Sequence, residues 1–198
     1  MQGAEEIAHG IYQEAGCDPA EPPGPVALAL ALGIAVTATP GARGARWCGR
    51  RGEILVSPRL SGPALAWSVG HELGERALAA AGYGEPDREQ VADAVAAALV
   101  APRPAFRSAL AAFGATPDAL SSLAHAFGIT QSIAALRIGE VTGRPLALVT
   151  PRRVHVRGDA YVWPCEKTVR RVAAGHDPAP VARWPLSDAR RRTLLLAE

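Results

Sequence analysis

Lysine is nearly missing from this chain: Lys167 is the single one among 21 Lys plus Arg. The surplus of Arg therefore reflects residue choice along the whole chain, which weakens any recognition argument built on the special chemistry of the guanidinium. Cysteine is scarce as well. Cys17, Cys48 and Cys165 lie far apart with no Cys-x-x-Cys pair, which fits neither a disulfide framework nor a thiolate metal site. Long apolar runs are also lacking. Val26 to Leu32 and Ala94 to Ala101 are the longest, far short of the roughly 20 residues that a membrane-spanning helix needs. Met1 to Gly10 carries Glu5 and Glu6 in place of Lys or Arg, and no long apolar block follows, so it does not read as a secretory signal. The expectation is a soluble, cytoplasmic protein.

What is present is enough sequence for one domain of ordinary size, or one domain with a small appendage, since the chain has 198 residues. Charge is unevenly spread. Residues 1 to 143 hold 10 Arg against 14 Asp plus Glu, whereas residues 144 to 198 hold 11 Arg plus Lys against 5 acids. The first stretch is thus net −4 and the second net +6, which together make the overall +2. A basic tail of this kind suits a nucleic acid or an acidic partner, and equally a solvated basic surface.

Ile7, Ala8 and Ile11 fall at helical spacing within residues 4 to 16, and the breaker-rich run Asp18-Pro19-Ala20-Glu21-Pro22-Pro23-Gly24-Pro25 ends that helix. Val26 to Leu32 reads as a short apolar helix closed by Gly33, and Ile34-Ala35-Val36-Thr37 has the β-branched content of a strand. Gly41, Gly44, Gly49 and Gly52 punctuate a hairpin region whose last strand is Glu53-Ile54-Leu55-Val56. A first long helix starts near Ser61 and Pro63, carries Leu65, Val69, Leu73 and Leu78 inward, and stops near Gly82. Asp87 and Gln90 resemble a capping box opening a second, in which Val91, Val95 and Leu99 recur every four residues until Pro102. Shorter helices are expected at about 103 to 113, 117 to 127 and 131 to 142. From Pro145 onward, 146 to 149 and 154 to 156 suit strands, and pieces near 165 to 174 and 188 to 197 look helical.

The chemistry concentrates in the two long helices. Gly70-His71-Glu72-Leu73-Gly74-Glu75 spells His-Glu-x-x-Glu, with positions 71 and 75 one turn apart on the same side. Zinc peptidases use His-Glu-x-x-His because two imidazoles at i and i+4 grip one ion while the carboxylate between them takes a proton from the attacking water. Here the second imidazole is a carboxylate. Glu75 remains a legitimate ligand, but its oxygen shifts the balance from zinc toward harder ions such as manganese. Its alternatives are a pair with a nearby Arg or a place in solvent. Glu89 and Asp93 share one face of the second helix. Glu89 is the expected third ligand, and Asp93 would stand behind His71 and accept its other ring proton. His9, His125, His155 and His176 show no ligand spacing.

Over roughly residues 5 to 145 the sequence resembles the ImmA/IrrE family of metallopeptidases. Four segments carry the resemblance: Ala31-Leu32-Gly33-Ile34-Ala35-Val36, Gly52-Glu53-Ile54-Leu55-Val56, Val69-Gly70-His71-Glu72-Leu73-Gly74, and Glu89 to Pro102. The last is the most specific, with Glu-x-x-Ala-Asp ahead of a small-residue helix that ends in Pro. The resemblance implies an α+β fold: a small mixed sheet, a zincin-like active helix and a following helical bundle, with a small basic C-terminal region. It gives His71 and Glu89 ligand roles and Glu72 the general-base role, and Glu75 departs from the family's second His. It also implies a protein substrate, a helix-turn-helix repressor cut in a stress or mobile-element response.

Residues 1 to 143 are therefore expected to form the peptidase-like domain, with helix-turn-helix-like helices at 117 to 142, and residues 144 to 198 a basic extension. Leu123 to Phe127, a turn at Gly128, and Gln131 to Ile138 would place Gln131, Ser132 and Arg137 on a recognition helix, but one Arg is thin support for DNA binding. The favoured reading, by resemblance to relatives whose similar helices pack beside the peptidase site, gives these helices a structural role. Two further readings stay open beside the peptidase. One is a non-catalytic descendant that uses its groove or its basic tail to hold a protein or DNA partner, and the other is a sequence-specific DNA binder acting through residues 120 to 141.

Overall fold

The computed structural model describes residues 2–84, 88–114, 116–149, 154–157, 169–170, 173–174, 181–185 and 193–197. Its fold is α+β, and its contacts divide the chain into two compact units. Unit 1 comprises residues 1–108 and 126–129, and unit 2 comprises residues 109–125 and 130–198.

Unit 1 opens with α1 (Gln2–Glu14) and α2 (Pro25–Ala31). A three-stranded mixed sheet follows, formed by β1 (Ala35–Ala38), β2 (Ala45–Cys48) and β3 (Glu53–Val56) in the order β1-β3-β2. β3 pairs parallel to β1 and antiparallel to β2, so β2 is an edge. The glycine-rich stretch does form the expected hairpin. Its turn closes where Arg51 and Gly52 donate their N–H groups to the Cys48 carbonyl, with Gly52 at φ 63, a left-handed geometry that glycine adopts without penalty. Ile54 and Val56 point into the core and alternate with Glu53 and Leu55, as strand periodicity requires.

The two long helices are α3 (Gly62–Ala80) and α4 (Arg88–Val100). Ser61 occupies the N-cap position of α3 with Pro63 in the first turn, although the Ser61 side chain makes no capping bond. The capping box read at Asp87 lies outside the described residues. Along α3, Val69, Leu73 and Leu78 are fully buried, and along α4 Val95 and Leu99 meet Val69 and Leu73 in one core with Ile11, Tyr12, Leu28 and Ile54.

The helices approach closely because the touching positions carry almost no side chain. A Cβ on Gly74 would lie 3.2 Å from the Ala92 carbonyl oxygen and 3.2 Å from Val95 Cβ, and one on Gly70 would lie 3.6 Å from Ala96 Cα. Glycine on one helix faces alanine on the other, and such small contacts let two helix axes come to the short end of the usual range.

α1 is tied to this pair by Tyr12, whose buried hydroxyl donates to the Leu99 carbonyl at 2.8 Å. Leu99 sits in the last turn of α4, where a carbonyl has no partner within the helix. Burial holds the phenol above its ordinary pKa. Tyr12→Phe leaves that buried carbonyl unpaired and is expected to destabilise the protein by about 1–3 kcal/mol. A denaturant melt showing a lower midpoint at unchanged slope checks this.

The later helices are α5 (Arg103–Phe113), α6 (Pro117–Ala126) and α7 (Gln131–Thr142). Thr130 caps α7 by accepting from the Ile133 N–H, and Gly143, at φ 70, closes it. A bend of 101° separates α6 from α7, within the range of helix-turn-helix pairs. In unit 2, β4 (Leu146–Val149), β5 (Val154–Arg157), β6 (Val181–Pro185) and β7 (Thr193–Ala197) form a sheet in the order β5-β4-β7-β6. β4 and β5 fall where the sequence places strands.

β7 overturns the helix expected near 188 to 197. Leucine favours helices in isolation, but Leu194, Leu195 and Leu196 take extended partners on both sides, from β4 and β6, and tertiary pairing of this kind overrides propensity. β6 falls where the sequence reading places no element. Of the other helix-like piece, residues 169 and 170 are helical and the Ala174 N–H bonds the Arg170 carbonyl, while 165 to 168, 171 and 172 lie outside the described residues. So do Cys165, His176 and Lys167. No single helix among the described residues is long and apolar enough to cross a membrane.

Candidate metal centre

Because Gly70 and Gly74 bring α3 close to α4, the side chains beside them meet across the gap. His71 Nδ1 lies 3.0 Å from Asp93 Oδ1, and His71 Nε2 lies 3.6 Å from Glu89 Oε1. The ring is largely sheltered, with 16% of its side chain exposed, whereas Glu89 is 77% exposed. Nδ1 therefore faces a carboxylate that can hold its proton, which in the neutral ring leaves the Nε2 lone pair, on the Glu89 side, free to ligate a cation.

The Asp93 hydrogen bond is the largest influence on His71 and raises its pKa. Burial works against it, and the charges of Asp93, Glu89 and Glu72 reinforce it. A histidine with a raised folded-state pKa stabilises the fold fully below its unfolded value of about 6.5, and that contribution disappears as pH climbs through the folded value. Asp93→Asn removes the leading cause. The His71 resonances of the cation-free protein are expected to titrate at lower pH in that variant than in the parent, as read by NMR.

Glu75 comes to the same place. Single ligand atoms of His71, Glu75 and Glu89 all lie within 4.8 Å of one another. Ligands about 2.0–2.2 Å from a shared small cation fall within such a spacing, so the donor set of one imidazole and two carboxylates fits a divalent ion. Glu75 already has company, however. Arg88, at the start of α4, places Nη2 2.5 Å from Glu75 Oε2 and also donates to the Glu75 backbone carbonyl at 3.3 Å. The neighbouring Arg76 turns the other way, to Glu14 Oε1 at 2.7 Å, and holds that carboxyl below its usual pKa through the hydrogen bond. Glu75 thus takes part in both arrangements left open by the sequence, a place among the ligands and a pair with an Arg.

Glu72 sits one residue along α3 from His71 and points to the sheet, where its Oε2 accepts the backbone N–H of Trp47 at 2.6 Å. Trp47 belongs to the edge strand β2, so the carboxylate is anchored beside an open strand edge. Nothing in the sequence pairs Trp47 with Glu72. The only available signal was the position of β2 next to β3 in a short hairpin.

Residues expected elsewhere separate from this cluster. His9 and His125 are exposed, and neither belongs to the ligand set. Cys17 and Cys48 are free thiols of intermediate burial. Arg137, expected on the reading face of a DNA-binding helix, is only 2% exposed and pairs with Glu140 at 2.9 Å, one turn along α7. Its guanidinium serves the interior, because α7 buries Ala134, Ala135, Ile138 and Val141 on the same side. Of the three expected contact residues, only Gln131 and Ser132 keep partial exposure, and the Gln131 amide nitrogen donates to Ser121 Oγ.

A family model described as IrrE N-terminal-like domain, of the M78 peptidases, matches residues 29–139, more than half of the chain. No curated protein matches the sequence. Among solved structures, the fold is similar to that of a Mycobacterium tuberculosis transcriptional regulator, with a TM-score of 0.60 and 16% identity. That match covers 92% of this chain and 65% of the other, so the chain spans less than two thirds of the regulator's length.

Proposed function

Because the chain belongs to the family of IrrE N-terminal-like domains, we propose that it is a metal-dependent endopeptidase of that family, working on a helix-turn-helix repressor protein. The observation that carries this reading is the meeting of His71, Glu75 and Glu89 within 4.8 Å, beside Glu72 on the same helix. A bound divalent cation would polarise the scissile carbonyl and offset the charge that builds on it. Zinc suits the imidazole, and the two carboxylates make manganese an acceptable alternative.

The chain's own residues do the rest. Asp93 fixes the His71 ring with Nε2 toward the ligands. Glu72 takes the proton of the attacking water and passes it to the leaving amine, a role for which its place at a strand edge is apt. A peptide laid along β2 would accept the Trp47 N–H in place of Glu72 and release the carboxylate for that work. Location in the cytoplasm and action in a stress or mobile-element response belong to the same reading, through the family resemblance.

A second reading has an observation of its own. The Arg88 guanidinium occupies Glu75, so a cation has to displace a fixed positive charge before it gains its third ligand. A chain in which the guanidinium prevails would be a non-catalytic binder of protein or DNA, built on the same scaffold. Hydrolysis separates the two. The purified chain with added zinc or manganese should cleave an unfolded protein substrate, and a chelator should abolish the cleavage. Absence of cleavage with every divalent ion supplied favours the binder.

A further inference from the structure

The hairpin that forms the rim of the site carries most of the positive charge in its region. Residues 43 to 59 contain Arg43, Arg46, Arg50, Arg51 and Arg59 with Glu53 as their only acid, whereas residues 60 to 102 hold six acids against Arg76 and Arg88. Only Arg51 spends its charge locally, on Glu53 at 3.4 Å. Arg43, Arg46, Arg50 and Arg59 are exposed and make no ion pair among the described residues. Arg43 and Arg46 line a cavity of about 420 Å³ with Thr39, Ala42 and Leu55.

The strand geometry orients this charge. Trp47 turns its N–H away from β3, onto Glu72, and by the alternation of an antiparallel ladder Ala45 turns the same way. No described strand pairs with β2 on that side. Ala45 and Trp47 pack against the core, while Arg46 lies on the opposite face with its cross-strand partner Leu55. A strand added to this edge would alternate likewise. Every second side chain would lie on the face that carries Arg46, with Arg43 in the bend that leads into β2 and beside the same cavity, and the intervening ones would face α3 with its acidic cluster.

We propose that the edge of β2 is a docking site for an extended peptide segment with acidic side chains at alternate positions, which deepens the peptidase reading by naming its substrate class. Arginines on one face recognise the carboxylates, and the carboxylates of Glu72, Glu75 and Glu89 repel acids from the other. A nucleic-acid strand suits this edge less well. It carries a charge at every nucleotide and offers no backbone amides to pair with β2.

The test is fluorescence anisotropy on the full chain, free of added cation, with a labelled octapeptide of alternating Glu and Thr and its Gln and Lys counterparts. A single-stranded DNA dodecamer runs alongside. The Glu peptide is expected to bind at least tenfold more tightly than the Gln peptide at low salt, with the gap narrowing as salt rises. The double variant Arg43→Glu, Arg46→Glu changes exposed positions only and should reverse the order in favour of the Lys peptide, with an unchanged melting temperature. Equal binding of the three peptides, no binding of any, or tighter binding of the DNA would overturn the proposal. Binding needs neither metal nor hydrolysis. A chain that prefers the Glu peptide but cleaves nothing therefore refutes the peptidase reading and leaves the docking site standing.

Discussion

Glu72→Gln is expected to reduce hydrolysis by two to four orders of magnitude, the usual contribution of a positioned general base, while leaving the fold and the cation affinity where they were. The amide oxygen of Gln accepts a hydrogen bond as the carboxylate does, so the anchor to the Trp47 N–H survives the change. Basicity does not survive. Turnover at saturating substrate, measured beside a cation titration of both proteins, gives the comparison. A Gln variant that hydrolyses at the parent rate would remove Glu72 from the chemistry, whatever the cation does.

Gly74→Val should have the largest effect on the structure itself. A Cβ at position 74 already stands 3.2 Å from the Ala92 carbonyl and from Val95, and the two further methyl groups of Val have nowhere to go. Overpacking of this kind costs about 1–3 kcal/mol and occasionally more, and in a chain of this size each kcal/mol lowers the melting temperature by about 2–4 °C. The same change pushes α4 from α3. It therefore separates His71 from Asp93 and Glu89, so cation affinity should fall together with stability. Gly74→Ala is the milder comparison, because a gain of about 1 kcal/mol in helix propensity opposes the tight contact. Thermal melts and cation titrations of both variants give the comparison, and a Val variant that melts with the parent would show that the helices do not depend on this approach.

The elements of unit 1 could be read from the sequence because their cues are local. Gly33 and Gly52 mark ends and turns, Pro63 marks the start of α3, and the apolar period carries α3 and α4. The site was legible for the same reason. His71 with Glu75, and Glu89 with Asp93, stand four apart, and a period of 3.6 residues puts each pair on one face without knowledge of the fold.

What escaped depends on contacts between elements distant in sequence. Arg88 reaches Glu75 from another helix, Trp47 meets Glu72 from the sheet, and no spacing rule links either pair. Gly70 and Gly74 did leave a trace, since they stand four apart opposite Ala92 and Ala96, a pattern that signals close helix packing. Unit 2 misled the reading where pairing outweighed composition. The leucines of β7 look helical until β4 and β6 flank them, whereas the burial of Arg137 suits the structural role favoured for its helix over a DNA-reading one.

Calorimetric titration of zinc and of manganese into the parent chain, His71→Ala and Arg88→Met bears most directly on the idea that α3 and α4 together hold one cation. The parent should take up one ion per chain, His71→Ala should lose it, and Arg88→Met should bind more tightly because Glu75 no longer has a guanidinium to give up. Failure of the parent to bind either ion, or binding that His71→Ala leaves unchanged, would contradict it.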